Sequence, residues 1–97
     1  MELTGKQKRS LRSLGRQLKP LCEIGKAGMS GEVVKNIRQL LDKHELIKVR
    51  FRTGDSDDRD SGGEELAKAT GAACIAVVGR MVLLYKPNEQ LEKRIVI

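Results

Sequence analysis

Apolar positions recur along this chain with two periods, and the switches between them mark seven elements. Between residues 5 and 18, Leu11, Leu14 and Leu18 share one side of a helix, opposite Arg9, Arg12, Arg16 and Lys19 with Lys8 beside them. Thr4 and Gln7 stand at the N-cap and N3 positions of a capping box, and Pro20 stops the helix. Leu21-Cys22-Glu23-Ile24 reads as a short buried strand. Ser30 then suits the N-cap of a helix over about residues 31–43, with Val33, Val34, Ile37, Leu40 and Leu41 on its apolar face. His44 continues that face, where a lone histidine serves more readily as a capping or packing residue than as a ligand.

From Leu46 to Arg52 the period changes to two. Ile47, Val49 and Phe51 point one way, Lys48, Arg50 and Arg52 the other, so one face is buried and the other is wet or against a partner. Residues 53–63 are acidic and glycine-rich and read as a solvated loop. Asp55, Asp57 and Asp58 invite comparison with a calcium loop, but Arg59 interrupts the spacing and no Gly-x₅-Glu tail follows. Ser61 and Glu64 form a second capping box, opening a short helix to Thr70 with Gly71 as its left-handed stop. Ala73–Val78 and Met81–Tyr85 are apolar strands joined by a Gly79-Arg80 hairpin turn, and Pro87 ends the second. Ile95-Val96-Ile97 suits a short terminal strand. The order α-β-α-β-α-β-β predicts an α/β fold: one compact domain over residues 1–97 (core about 3–87, polar tail 88–97), with a mixed four-stranded sheet packed by helices.

Charge sharpens the picture. Residues 1–52 hold 13 Lys/Arg against 5 Asp/Glu, while residues 53–97 hold 6 against 8, so the net +6 is concentrated in the first half. Segment 5–19 has six basic residues and no acidic one, although like charges at helical spacing oppose helix stability. The stripe is either a solvated face or one compensated by a polyanion. Phe51 and Tyr85 are the only aromatic residues, too few for a base-stacking platform. Nucleic-acid contact would therefore run through phosphates, sugars and shape. No apolar run approaches the roughly 20 residues that span a bilayer. Met1-Glu2-Leu3-Thr4 lacks signal-peptide architecture, and a cytoplasmic location is expected. Cys22 and Cys74 are expected to be buried, reduced thiols, and no metal or cofactor is expected.

The richest candidate site is Gly25-Lys26-Ala27-Gly28, a GxxG loop with an internal lysine between the first strand and the second helix. Glycines there allow close backbone approach, the helix start presents N–H groups, and Lys26 adds a full charge, which together suit a phosphate. A plain strand-to-helix turn fits the same four residues. Walker A and GxGxxG spacings are absent.

Taken together, Leu18-Lys19-Pro20, the GxxG loop, His44-Glu45-Leu46-Ile47-Lys48-Val49, Thr70-Gly71-Ala72, Val78-Gly79-Arg80 and Leu83-Leu84-Tyr85-Lys86-Pro87 resemble a CRM domain, named for chloroplast RNA splicing and ribosome maturation. The likeness covers about residues 3–87 and is nearest to free-standing bacterial YhbY-like members. It implies a fold similar to the C-terminal domain of translation initiation factor three. It also implies an RNA-binding role in assembly of the large ribosomal subunit, with Gly25, Lys26, Ala27 and Gly28 in contact with RNA. Arg9, Arg12, Arg16 and Lys19 join that expected contact set from the charge stripe alone. The family's third helix is longer than the one read here. A non-enzymatic, monomeric RNA-binding protein is thus the leading expectation, with no membrane or small-molecule partner. A basic DNA-binding domain or a protein-interaction module on ribosomal particles is the alternative.

Overall fold

Thr4 opens the first helix in the way its spacing requires: its hydroxyl accepts from Gln7 N at 3.0 Å, and the Gln7 side chain accepts from Thr4 N at 3.0 Å. The computed structural model describes residues 2–25, 30–52 and 56–91, without the side chains of 56–61. The elements are α1 (Gly5–Gly15), β1 (Pro20–Ile24), α2 (Gly31–His44), β2 (Leu46–Phe51), α3 (Ser56–Thr70), β3 (Ala73–Val78) and β4 (Met81–Tyr85). The strands form one sheet in the order β1-β2-β4-β3. β1 and β2 are parallel, and β4 runs antiparallel to both its neighbours. This is the mixed four-stranded α/β architecture expected from the element order.

Each sheet face carries its own core. On one face, Ile47, Val49, Phe51, Val82 and Leu84 meet Ile37 and Leu41 of α2 and Leu66 and Ala67 of α3. On the other, Leu11 of α1 is fully buried with Leu46, Ile75, Leu83 and Tyr85. Alternation along β2 and β4 divides the residues between these cores. A register shift between Cys74 and Ala76 places Ile75 and Ala76 on the α1 side together. Gly79 has φ +59 and Arg80 has no positive φ, the pattern of a type II′ hairpin turn.

Several expectations need correction. α1 ends at Gly15 rather than running to Leu18, with Gly15 seated so closely on Leu83 that a Cβ there would stand 2.5 Å from a methyl carbon. The next turn tightens through bonds from Gln17 N to Leu14 O and from Leu18 N to Gly15 O, and Pro20 favours extended backbone at Lys19. Leu14, still within the helix, and Leu18, beyond its end, are both exposed.

The third helix begins at Ser56, so most of the segment read as a loop is helical and Ser61/Glu64 lies inside a helix rather than capping one. Gly62 and Gly63 are its contact residues. A Cβ at Gly62 would stand 3.2 Å from the Phe51 ring, and one at Gly63 would stand 3.2 Å from Cys74 Sγ and 3.3 Å from a Val82 methyl. These glycines allow close packing, which here outweighs their poor helix propensity.

His44 is exposed, and the residue sealing the end of α2 is Glu45, 1% exposed with φ 61 and ψ −43. Its carboxylate accepts from Asn88 N at 2.8 Å. α3 closes as expected at Gly71, φ +73, with the Ala72 N–H reaching Ala67 O at 2.9 Å in a Schellman arrangement. Neither Cys22 nor Cys74 forms a disulfide, and both are only partly buried rather than buried as expected. They lie on opposite edge strands, about 14 Å apart at strand spacing and beyond disulfide reach. The segment 95–97, expected as a strand, lies outside the described residues.

Candidate nucleic-acid interface

Gly25, the first residue of the GxxG motif, lies at the end of the sheet where β1 and β2 finish. Gly25 follows Ile24 directly, and Ser30 caps α2 on the far side of the loop, its Oγ accepting from Val33 N at 3.2 Å. Lys26, Ala27 and Gly28 lie outside the described residues. At Gly25 the φ is not positive, and a Cβ would meet nothing within 4 Å among the described residues. The described fold therefore sets no steric or conformational demand for glycine at position 25.

Two arginines stand beside that exit. Arg52 N donates to Ile24 O at 3.0 Å, fixing Arg52 next to the start of the loop. Phe51 N donates to Arg80 O at 2.8 Å, bringing the Gly79-Arg80 hairpin to the same end of the sheet. Arg52 continues a row with Lys48 and Arg50, at intervals of about 6.8 Å for alternate strand residues. Glu23 on β1 lies 3.9 Å from Arg50 and 3.8 Å from Arg52. All three side chains are well exposed, so each pair contributes at most about 1 kcal/mol. One carboxylate shared by two guanidinium groups leaves the row positive.

α1 extends this positive surface. Arg9, Arg12 and Arg16 are all exposed. Arg12 and Arg16 line one flank of a groove of about 380 Å³, with Lys48 and the apolar residues Ala76, Val78, Met81 and Leu83. Leu11 and Gly15 point at the sheet, and one helical step around from that buried arc are Arg12 and Arg16. Lys19 departs from the expected stripe: it lies beyond the helix end and borders a separate groove with Leu14, Leu18, Leu21 and His44.

Lys48, Arg50, Arg52 and Arg80 are thus interface candidates that the charge stripe of the first helix does not reveal. The signal for the first three is the strict alternation along β2. Arg80 reads in sequence only as a turn residue. Cys22, on β1, has its thiol pKa raised by burial, partly opposed by a contact from the Asn36 amide and assisted by the nearby Glu23 carboxylate. That environment disfavours the thiolate, the nucleophilic form of the group.

These features define a small α/β domain whose sheet, covered by helices on both faces, leaves a cation-lined strip open beside the first helix. The sequence model of the CRS1/YhbY (CRM) domain matches residues 3–86, and the chain belongs to that family. It is 37% identical over 93 residues to the Probable RNA-binding protein YqeI of Bacillus subtilis, covering 93% of this chain and 97% of that one. An RNA-binding protein of Haemophilus influenzae is 32% identical over 88 residues, covering 91% of this chain and 89% of its own. The solution structure of the hypothetical protein SAV1595 from Staphylococcus aureus superposes with a TM-score of 0.85 at 35% identity, covering 99% and 100% of the two chains. Among the described residues, no helix is long and apolar enough to cross a membrane.

Proposed function

We propose that this protein is a non-enzymatic, monomeric RNA-binding domain that associates with ribosomal RNA in the precursor of the large ribosomal subunit and assists its assembly. The proposed contacts are the Gly25-Lys26-Ala27-Gly28 loop and the basic surface of Arg9, Arg12 and Arg16, with Lys19 at its margin. We add Lys48, Arg50, Arg52 and Arg80. The observation that carries the reading is the convergence of Arg52 and Arg80 on the exit of the loop, in a family whose relatives bear RNA-binding in their names. Gly25 supports it. A glycine that the described fold does not require suits a backbone approached closely by a phosphate.

The test compares Gly28→Asp with Lys68→Ala, which makes the same change in net charge on exposed α3, across the sheet from α1. Circular dichroism verifies that both variants fold. Gly28→Asp places a carboxylate against phosphate and loses co-sedimentation with large-subunit precursors, whereas Lys68→Ala keeps it. If folded Gly28→Asp protein co-sediments as the parent does, the loop is only a turn.

A further inference from the structure

The groove between α1 and the sheet joins two chemistries. Its floor is apolar: Ala76, Met81 and Leu83, with Val78 at the mouth, 72% exposed. Its rim holds three cations, Arg12, Arg16 and Lys48, and among the described residues no carboxylate lines it. Val78 and Met81 pair across β3 and β4, next to Arg50 in register, so the groove opens directly onto the cationic row leading to Gly25.

We propose that this groove is a slot for one unstacked nucleotide of single-stranded RNA, its base on the Met81/Leu83 floor against Val78 at the mouth and its flanking phosphates on Arg12, Arg16 and Lys48. The inference rests on the RNA-binding reading above and names a contact that reading leaves out. A nucleotide carries a flat, weakly polar body beside a phosphate, which matches an apolar floor edged by cations. A volume of about 380 Å³ holds a single nucleotide and excludes a duplex. The guanidinium planes of Arg12 and Arg16 supply the stacking surface that the chain's missing aromatic residues cannot. The floor side chains among the described residues are hydrocarbon or thioether and carry no strong hydrogen-bonding group to read a base edge, so the slot discriminates little among the four bases.

The experiment uses a short unstructured RNA oligonucleotide and an abasic oligonucleotide of equal length and charge. Wild-type protein binds the intact strand about tenfold tighter, near the lower end of the range for stacked bases. Val78→Glu, at a position exposed enough to leave the core alone, brings the intact strand down to the abasic level. The methyl NMR signals of Val78 and Met81 shift with the intact strand and not with the abasic one. Equal affinity for both strands, with Gly28→Asp still abolishing binding, overturns the slot and leaves the backbone-contact reading standing. Failure of wild type to bind either strand overturns both. If polyglutamate shifts those methyl signals and RNA does not, the groove is a peptide site and the slot is refuted.

Discussion

Alanine at Gly62 and at Gly63 should have different consequences, although the two residues are adjacent in one helix. In an exposed helix interior, each Gly→Ala change would stabilise by about 0.8–1.0 kcal/mol. Here each new Cβ also meets the sheet. At Gly62 the neighbours are two carbons of the Phe51 ring, both at 3.2 Å, on a residue at the end of β2 that retains some exposure. That ring can tilt, so the steric term largely cancels the propensity gain, and Gly62→Ala stays within about 0.5 kcal/mol of wild type. At Gly63 the Cβ meets Cys74 Sγ at 3.2 Å, a Val82 methyl at 3.3 Å and a Val77 methyl at 3.5 Å. These groups sit on two hydrogen-bonded strands, and valine side chains are stiff at χ1. Overpacking of this kind costs about 1–3 kcal/mol, leaving a net loss of about 1 kcal/mol after the propensity gain. Thermal unfolding followed by circular dichroism reads that loss as a Tm lowered by roughly 4–8 °C. A Gly63→Ala protein more stable than wild type would refute the close seating of α3 on the sheet.

Leu11→Ala empties the centre of the core between α1 and the sheet and should cost about 2–5 kcal/mol in urea unfolding. Glu45→Ala should cost about 1–3 kcal/mol by leaving the Asn88 N–H without its carboxylate. Because Glu45 has φ 61, Glu45→Gly should be at least as stable as Glu45→Ala, reversing the usual helix order. For Cys22, alkylation by iodoacetamide in a Cys74→Ser background should begin at higher pH in the folded protein than in urea. Its raised folded pKa contributes stability fully present below the unfolded thiol pKa and lost as pH rises through the folded one. RNA affinity should fall with salt at a log–log slope near −3 to −5, for contact with roughly 4–6 phosphates, and a slope near zero would exclude phosphate contact.

Much of the fold was legible in the sequence because local chemistry and tertiary packing agree. Thr4/Gln7, Ser30 and Gly71 act as their spacing suggests, and the alternation of β2 correctly separates Ile47, Val49 and Phe51 from Lys48 and Arg50. The errors fall where a residue serves a distant neighbour. Gly62 and Gly63 look like helix breakers until Phe51, Cys74 and Val82 are placed beneath them. Leu14 and Leu18 look buried, yet α1 turns Leu11 and Gly15 to the sheet and leaves both leucines exposed. The helix-end role reads at His44 in sequence, whereas Glu45 takes it with Asn88, 43 positions later, folded back onto its carboxylate. On the candidate interface, Arg9, Arg12 and Arg16 are exposed as the stripe predicted. The joining of Arg52 and Arg80 near Gly25 depends on strand order, and local periodicity carries no strand order.

That strand order also constrains how the chain can acquire its structure. β4 is the last described strand to emerge during synthesis, yet it is the one that joins β2 to β3. Until Met81–Tyr85 exists, β1 and β2 form only a two-stranded parallel ribbon, and Leu11 lacks both Leu83 and Tyr85. α1 is therefore made first and docked against residues some 70 positions away, an entropically expensive closure that only the completed sheet rewards. A chain truncated before residue 81 should have no stable subfold. Throughout its synthesis it would carry an unmasked basic helix close to the RNA of the ribosome making it.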